Sequence, residues 1–253
     1  MTDRPQDPWH AFRKFTAARI ALGRSGDGLP TSHLLDFQLA HAKARDAVLG
    51  AMNAAQIASN LSYDTLTVSS QAGDRATYLQ RPDLGRKLDP NDRATLDRLK
   101  PTPTPDVVFV IGDGLSAFAV HNYAAATLAK AVSLLQELTV GPIVLAHQAR
   151  VALGDDIAAA IGARAVVILI GERPGLSAAD SLGAYLTYAP KVGSQNSDRN
   201  CVSNIRDGGL TPEDGAARIA YLVRAAFEQG KSGYQLKDLS ENQPLLTTPT
   251  GPE

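Results

Sequence analysis

The residues able to do chemistry gather in three short stretches, each following an apolar run. The first is Gly112-Asp113-Gly114-Leu115-Ser116-Ala117, which reads G-x-G-x-x-A. In that pattern the glycines let the backbone approach a pyrophosphate at a helix start. Two features count against a dinucleotide. Asp113 puts a carboxylate beside the phosphates, and the next apolar run ends in His147, where an acid would normally meet the ribose 2′-OH. Asp113 equally serves as a helix N-cap or a turn carboxylate. A metal-dependent hydrolase also starts with an Asp after a strand, but it needs further ligands. The five histidines (His10, His33, His41, His121, His147) form no Asp-His pair and no His-x-x-x-His. Ser116 lies outside any G-x-S-x-G elbow, so serine hydrolysis has no support. The second stretch is His147–Val151. The third is Gly171-Glu172-Arg173-Pro174-Gly175, whose Pro-Gly pair fixes a sharp turn that holds a carboxylate and a guanidinium at a strand end. A Glu beside an Arg also makes a plain surface ion pair. Cys201 is the only cysteine, which excludes an intrachain disulfide and a thiolate metal cluster and fits a reducing compartment.

The elements that must hold these loops can be read from pattern. The chain has 253 residues, 44% hydrophobic and 20% charged, enough to fill a core. A net charge of −1 gives no general attraction to nucleic acid or to anionic membrane. No run approaches the about twenty apolar residues of a membrane span, and the charged opening MTDRPQDPWHAFRKF lacks a secretory apolar run. Residues 9–49 read as helical. Trp9, Phe12, Phe15 and Ile20 share one face, Gly23–Gly28 breaks it, and Thr31 or Ser32 caps a second helix to Leu49. Pro82 and Gly85 make Tyr78–Leu88 an ordered turn. The run PTPTP at 101–105 is a stiff linker and the natural boundary. Beyond it, Val107–Ile111, Ile143–Ala146 and Ala165–Ile170 read as buried strands alternating with helices, which implies βαβ units and a parallel sheet. Thr211 and Pro212 open a last helix. The expected fold class is therefore α/β, with a Rossmann-like parallel sheet domain at 107–239. A mostly helical region at 1–100 and a linker at 101–106 precede it, and a flexible tail at 240–253 follows. In such sheets ligands sit beyond the carboxyl ends of the strands, where all three loops fall.

Residues and spacing by themselves indicate an α/β ligand-binding domain with no catalytic set. Five separated motifs say more: YLQRPDLGRKL (Tyr78–Leu88), VVFVIGDGLS (Val107–Ser116), ARVALGDDI (Ala149–Ile157), GERPGLSAADSLGAYLTYAP (Gly171–Pro190) and SNIRDGG (Ser203–Gly209). In this order they resemble the small (light) chain of ethanolamine ammonia-lyase, from about residue 12 to about residue 237. The resemblance implies an adenosylcobalamin-dependent lyase that converts ethanolamine to acetaldehyde and ammonia through a 5′-deoxyadenosyl radical released by Co–C homolysis. It implies a large TIM-barrel subunit that binds ethanolamine, joined to this chain in a hetero-oligomer with the corrin between them and contacted by the N-terminal region at 1–100. Carried over residue by residue, the small-chain cofactor contacts fall on Val151, Glu172 and Cys201. An ionised Glu172 would accept hydrogen bonds from the amide side chains that rim a corrin. Val151 would give backbone polar groups and an apolar contact, and Cys201 would pack under the macrocycle, although both also suit a plain core role. Arg150, Arg173, Asp113 and Ser116 are the expected neighbours. No histidine follows an Asp by two residues, so the cofactor's own dimethylbenzimidazole is expected to stay on cobalt. The expected location is the bacterial cytoplasm. Some relatives carry an N-terminal extension linked to bacterial microcompartments, whereas this chain starts close to the helix at Trp9–Leu22. The alternative reading is a stand-alone α/β corrinoid- or nucleotide-binding module without turnover.

Overall fold

The sheet begins earlier in the chain than the apolar runs suggest. In the computed structural model, which describes residues 7–240, Thr65–Ser69 forms β1 and pairs in parallel with β3, Ile143–His147. The remaining strands are β2 (Val107–Gly112), β4 (Ala165–Gly171), β5 (Leu182–Tyr188) and β6 (Arg199–Ile205). Together they make one six-stranded sheet in the order β1-β3-β2-β4-β5-β6. The α/β class agrees with the sequence pattern, with two corrections. A strand N-terminal to the Pro-rich run supplies the sheet's edge, so that run does not part the sheet from everything before it. In addition β5 runs antiparallel to β4, and β6 antiparallel to β5. Both misreadings share a cause: TLTVS and RNCVSNI are edge strands whose exposed positions are polar, so neither is a continuous apolar run.

Every residue of β2 and β4 is buried, as a central parallel strand requires. Helices α1 (Thr31–Leu49) and α2 (Ala54–Ser59) precede β1; α3 (Arg75–Gln80) and α4 (Pro90–Leu99) follow it. After β2 come α5 (Ala117–Ala119), a π turn at Val120–Ala124, and α6 (Ala125–Leu134). Next are α7 (Leu153–Ile161) and α8 (Pro212–Gln229). As its sequence predicts, α8 starts at Pro212 with Thr211 as cap, the Thr211 hydroxyl accepting from the Asp214 N–H at 3.1 Å.

Two apolar layers result. On one face Phe109, Ile111, Leu145 and Leu169 pack under α6 and α8. On the other Val108, Val110, Val166 and Ile168 pack under α7 and α4. The expected helix at Trp9–Leu22 is instead a 3-10 segment, Pro8–Phe15, followed by non-helical chain to residue 30. Its apolar side chains are left largely uncovered among the described residues: Trp9 is 64% and Phe15 75% exposed. Of α1 only Ala47 is buried. The tail beyond Ser240 lies outside the described residues.

Candidate functional site

The three loops meet at the carboxyl ends of β2, β3 and β4 and are knitted to one another. Asp113, 2% exposed, accepts from the N–H groups of Gln148 and Ala149, both at 2.9 Å. It is thus a turn carboxylate that fastens the first loop to the second. Burial pushes its carboxyl up, against the pull of the two amides and of Arg75, whose guanidinium is 3.8 Å away. The N-cap of α5 is Ser116, which accepts from the Ala119 N–H and donates to the Ala179 carbonyl at 2.8 Å. The first and third loops touch backbone to backbone, with the Leu115 N–H donating to the Gly171 carbonyl at 2.9 Å. Gly114 has φ +56°, and a Cβ there would lie 2.2 Å from the Gly171 oxygen. Gly114 thus serves this contact, and Gly112 lets the first loop approach the second, since a Cβ there would lie 2.8 Å from the Ala149 Cβ.

Tyr78–Leu88 packs against the second loop, which explains why its motif accompanies ARVALGDDI. The Tyr78 hydroxyl donates to the Ala149 carbonyl at 3.0 Å, and the Arg150 N–H donates to the Gly85 carbonyl at 2.8 Å. The guanidinium groups of Arg150 and Arg75 lie 4.1 Å and 4.7 Å from the Tyr78 ring centroid. Burial pushes the Tyr78 hydroxyl up to about 12. The Leu88 N–H donates to Asp156 in α7 at 2.9 Å. Arg150 and Arg75 thus brace the loop that carries Val151.

Glu172 turns onto the sheet. Its carboxylate accepts from the Ser181 hydroxyl at 2.5 Å and from the Asn204 N–H at 3.4 Å, both on Oε2. Gly183 makes room for it, since a Cβ there would lie 2.8 Å from Glu172 Oε1. Arg173 is exposed, and Glu172 bonds Ser181 in place of a surface pair with it. Cys201 stands opposite Tyr185 across β5 and β6, so the two side chains are neighbours on one face of the sheet. Cys201 reaches solvent, yet its thiol is flanked by protein. Partial burial pushes the thiol up, helped by the negative charge of Glu172 and opposed by the Tyr185 hydroxyl. Burial likewise raises Tyr185. Val151 and Tyr185 both pack on the fringe of the apolar layer under α7.

The structure therefore brings Glu172 and Cys201 together around Tyr185, whereas Val151 is seen only to share their face of the sheet, at the fringe of the same apolar layer. Tyr185 is the site residue that sequence reasoning missed; only the pairing of β5 with β6 reveals it. The ledge carries a carboxylate acceptor, an aromatic hydroxyl and a thiol, with α7 beside it. Among the described residues no group of His, Cys, Asp and Glu is arranged to hold a metal ion, and no helix is long and apolar enough to cross a membrane. A separate cavity of about 600 Å³ lies between α1 and the loop at 175–180, lined among others by Leu39, Lys43, Phe118 and Asp180, and contains none of the predicted contacts.

Residues 6–237 match the protein family described as ethanolamine ammonia-lyase light chain (EutC). Curated relatives named ethanolamine ammonia-lyase small subunit are similar over nearly the full length. The protein from Rhodopseudomonas palustris is 52% identical over 90% of this chain and 88% of its own. That from Pseudomonas putida is 50% identical over 95% and 91%, and that from Xanthomonas campestris pv. campestris 47% over 98% and 94%.

Proposed function

Because the chain belongs to the ethanolamine ammonia-lyase light-chain family, we propose that it works as the small subunit of a two-chain ammonia-lyase and offers the Glu172–Tyr185–Cys201 ledge to adenosylcobalamin. The partner is a large TIM-barrel subunit that binds ethanolamine, and the assembly is a hetero-oligomer of the bacterial cytoplasm. When bound, the cofactor supplies the radical that abstracts hydrogen from ethanolamine, so no acid–base set is required of this chain.

The observation that carries the reading is the ledge itself, and its chemistry fits a corrin. Both hydrogen bonds to Glu172 fall on Oε2, leaving Oε1 to accept from the amide side chains of the macrocycle. Tyr185 gives a half-buried aromatic surface, and Cys201 is small and accessible beside it. Val151 lies on the same face, at the fringe of its apolar layer. These residues bind and orient, and the packed layer beneath them keeps water from that side of the ligand. The partner is supported by the N-terminal arm. Trp9, Phe12, Phe15, Leu35 and Leu39 are all about half exposed or more, which a stand-alone module has no use for.

The test is co-expression with the large chain. Acetaldehyde and ammonia should form from ethanolamine only when both chains and adenosylcobalamin are present. Glu172→Ala should weaken cobalamin binding by the complex while leaving assembly intact. Turnover by this chain alone, or an unchanged cobalamin affinity in the variant, would refute the proposal.

A further inference from the structure

The two elements that carry opposite sides of the ledge are joined by one buried ion pair. Asp155 lies in the first turn of α7, four residues after Val151. Arg199 opens β6 two residues before Cys201, on the same face of that strand. Their side chains are 2% and 3% exposed, and Arg199 Nη2 donates to Asp155 Oδ2. The same guanidinium donates to the Ser194 carbonyl and to Asn196 Oδ1, both at 2.9 Å, and so also fixes the connection between β5 and β6.

As a source of stability such a pair is poor. Desolvating two ions offsets most of their attraction, and well-packed apolar residues in their place are often neutral or better. Arg199 Nε, moreover, is buried with no hydrogen-bond partner among the described residues. What the fork does supply is one spacing and one orientation. The apolar residues of β6, Val202 and Ile205, pack on the other face of the sheet, so the ion pair is what ties β6 to α7 at a fixed spacing.

We propose that Asp155 and Arg199 are positioning residues for the cofactor seat, setting the distance between the Val151 loop and the Cys201 strand so that both meet the same corrin. The inference rests on the cobalamin reading above. Its test uses the two-chain complex carrying the double substitution Asp155→Leu and Arg199→Met, which leaves no charge unpaired. The expected result is normal assembly and a melting temperature close to wild type. Hydroxocobalamin, titrated by its absorption, should bind about tenfold more weakly, a loss of about 1.4 kcal/mol. Its induced circular dichroism in the visible should also change, because the seat is skewed. Unchanged affinity and dichroism would overturn the inference. So would failure of the double variant to fold or assemble, since the pair would then be structural. A wild-type complex that binds no hydroxocobalamin would instead sink the underlying cofactor reading.

Discussion

Replacing Asp113 with alanine takes the acceptor from two backbone donors at once. Gln148 and Ala149 each donate to this carboxylate at 2.9 Å. Ala149 is fully buried, so its N–H has no other partner to turn to, while Gln148 is half-buried and within reach of water. An orphaned buried donor costs about 1–3 kcal/mol, and a bond that water replaces about 1 kcal/mol, for a sum of about 2–4 kcal/mol. In a chain of this size about 1 kcal/mol moves Tm by roughly 2–4 °C, so Asp113→Ala should lower it by roughly 5–15 °C. Calorimetry on the full chain measures this directly. Asp113→Asn keeps one acceptor oxygen and should fall between wild type and the alanine variant. A shift below about 2 °C for Asp113→Ala would refute the reasoning, because the two amides would then be satisfied elsewhere and the carboxylate would not be the tie between the loops.

Cys201 should be alkylated by iodoacetamide with a pH midpoint above that of a free thiol, because partial burial and Glu172 both disfavour the thiolate. Adding cobalamin to the two-chain complex should protect it, and equal labelling with and without cobalamin would count against the ledge. Asp106 accepts from the N–H and hydroxyl of Thr139 and pairs with Arg164 at 2.8 Å. Burial opposes its ionisation, but these partners outweigh it and hold the carboxyl below its ordinary value. The resulting stability, about 1 kcal/mol, is present above the unfolded-state pKa and is lost as pH falls through the lower folded one. Asp106→Asn should therefore lower Tm at pH 7 and have little effect at pH 2; an equal effect at both would contradict the assignment. Leu35 and Leu39 on α1 are 57% and 56% exposed. Replacing both with serine should leave the Tm of the isolated chain unchanged yet weaken association with the large chain at least roughly tenfold, as read by size-exclusion titration.

What could be read from the sequence follows from how local each signal is. The strands Val107–Gly112 and Ala165–Gly171 are apolar throughout because both their faces are covered, and that pattern needs no partner to be seen. Thr211 and Pro212 mark a helix start through chemistry confined to a single turn. Glu172 stood out through its Pro-Gly turn and its family resemblance. Tyr185 did not, because its importance arises from standing opposite Cys201, sixteen residues further along the chain. Asp113 is the turn carboxylate its loop suggests, but the amides it ties, Gln148 and Ala149, lie 35 and 36 residues further along and are seen only in the fold. At the N-terminus the apolar spacing of Trp9, Phe12 and Phe15 predicts a helix with one apolar face. These side chains are exposed, and periodicity does not say which molecule will cover them.

The antiparallel strands explain why a ledge exists at all. Two parallel neighbours need a crossover, usually a helix, and that helix comes to rest on a face of the sheet. Here α7 is such a crossover, joining β3 to β4 and covering Val166 and Ile168. The chain goes from β4 to β5 and from β5 to β6 without one, through the connections at 172–181 and 189–198. The long helix against β5 and β6 is then α8, on the opposite face, where Leu186, Val202 and Ile205 pack with Ile219 and Val223, while α7 reaches only the Arg199 end of the other face. The face that carries Tyr185 and Cys201 is left open next to the end of β4, where Glu172 emerges. A fully parallel sheet of the kind the apolar runs predict would have placed another helix over these side chains. The reversal of β5 is thus what shapes the ledge proposed above as the seat of a flat, amide-rimmed cofactor.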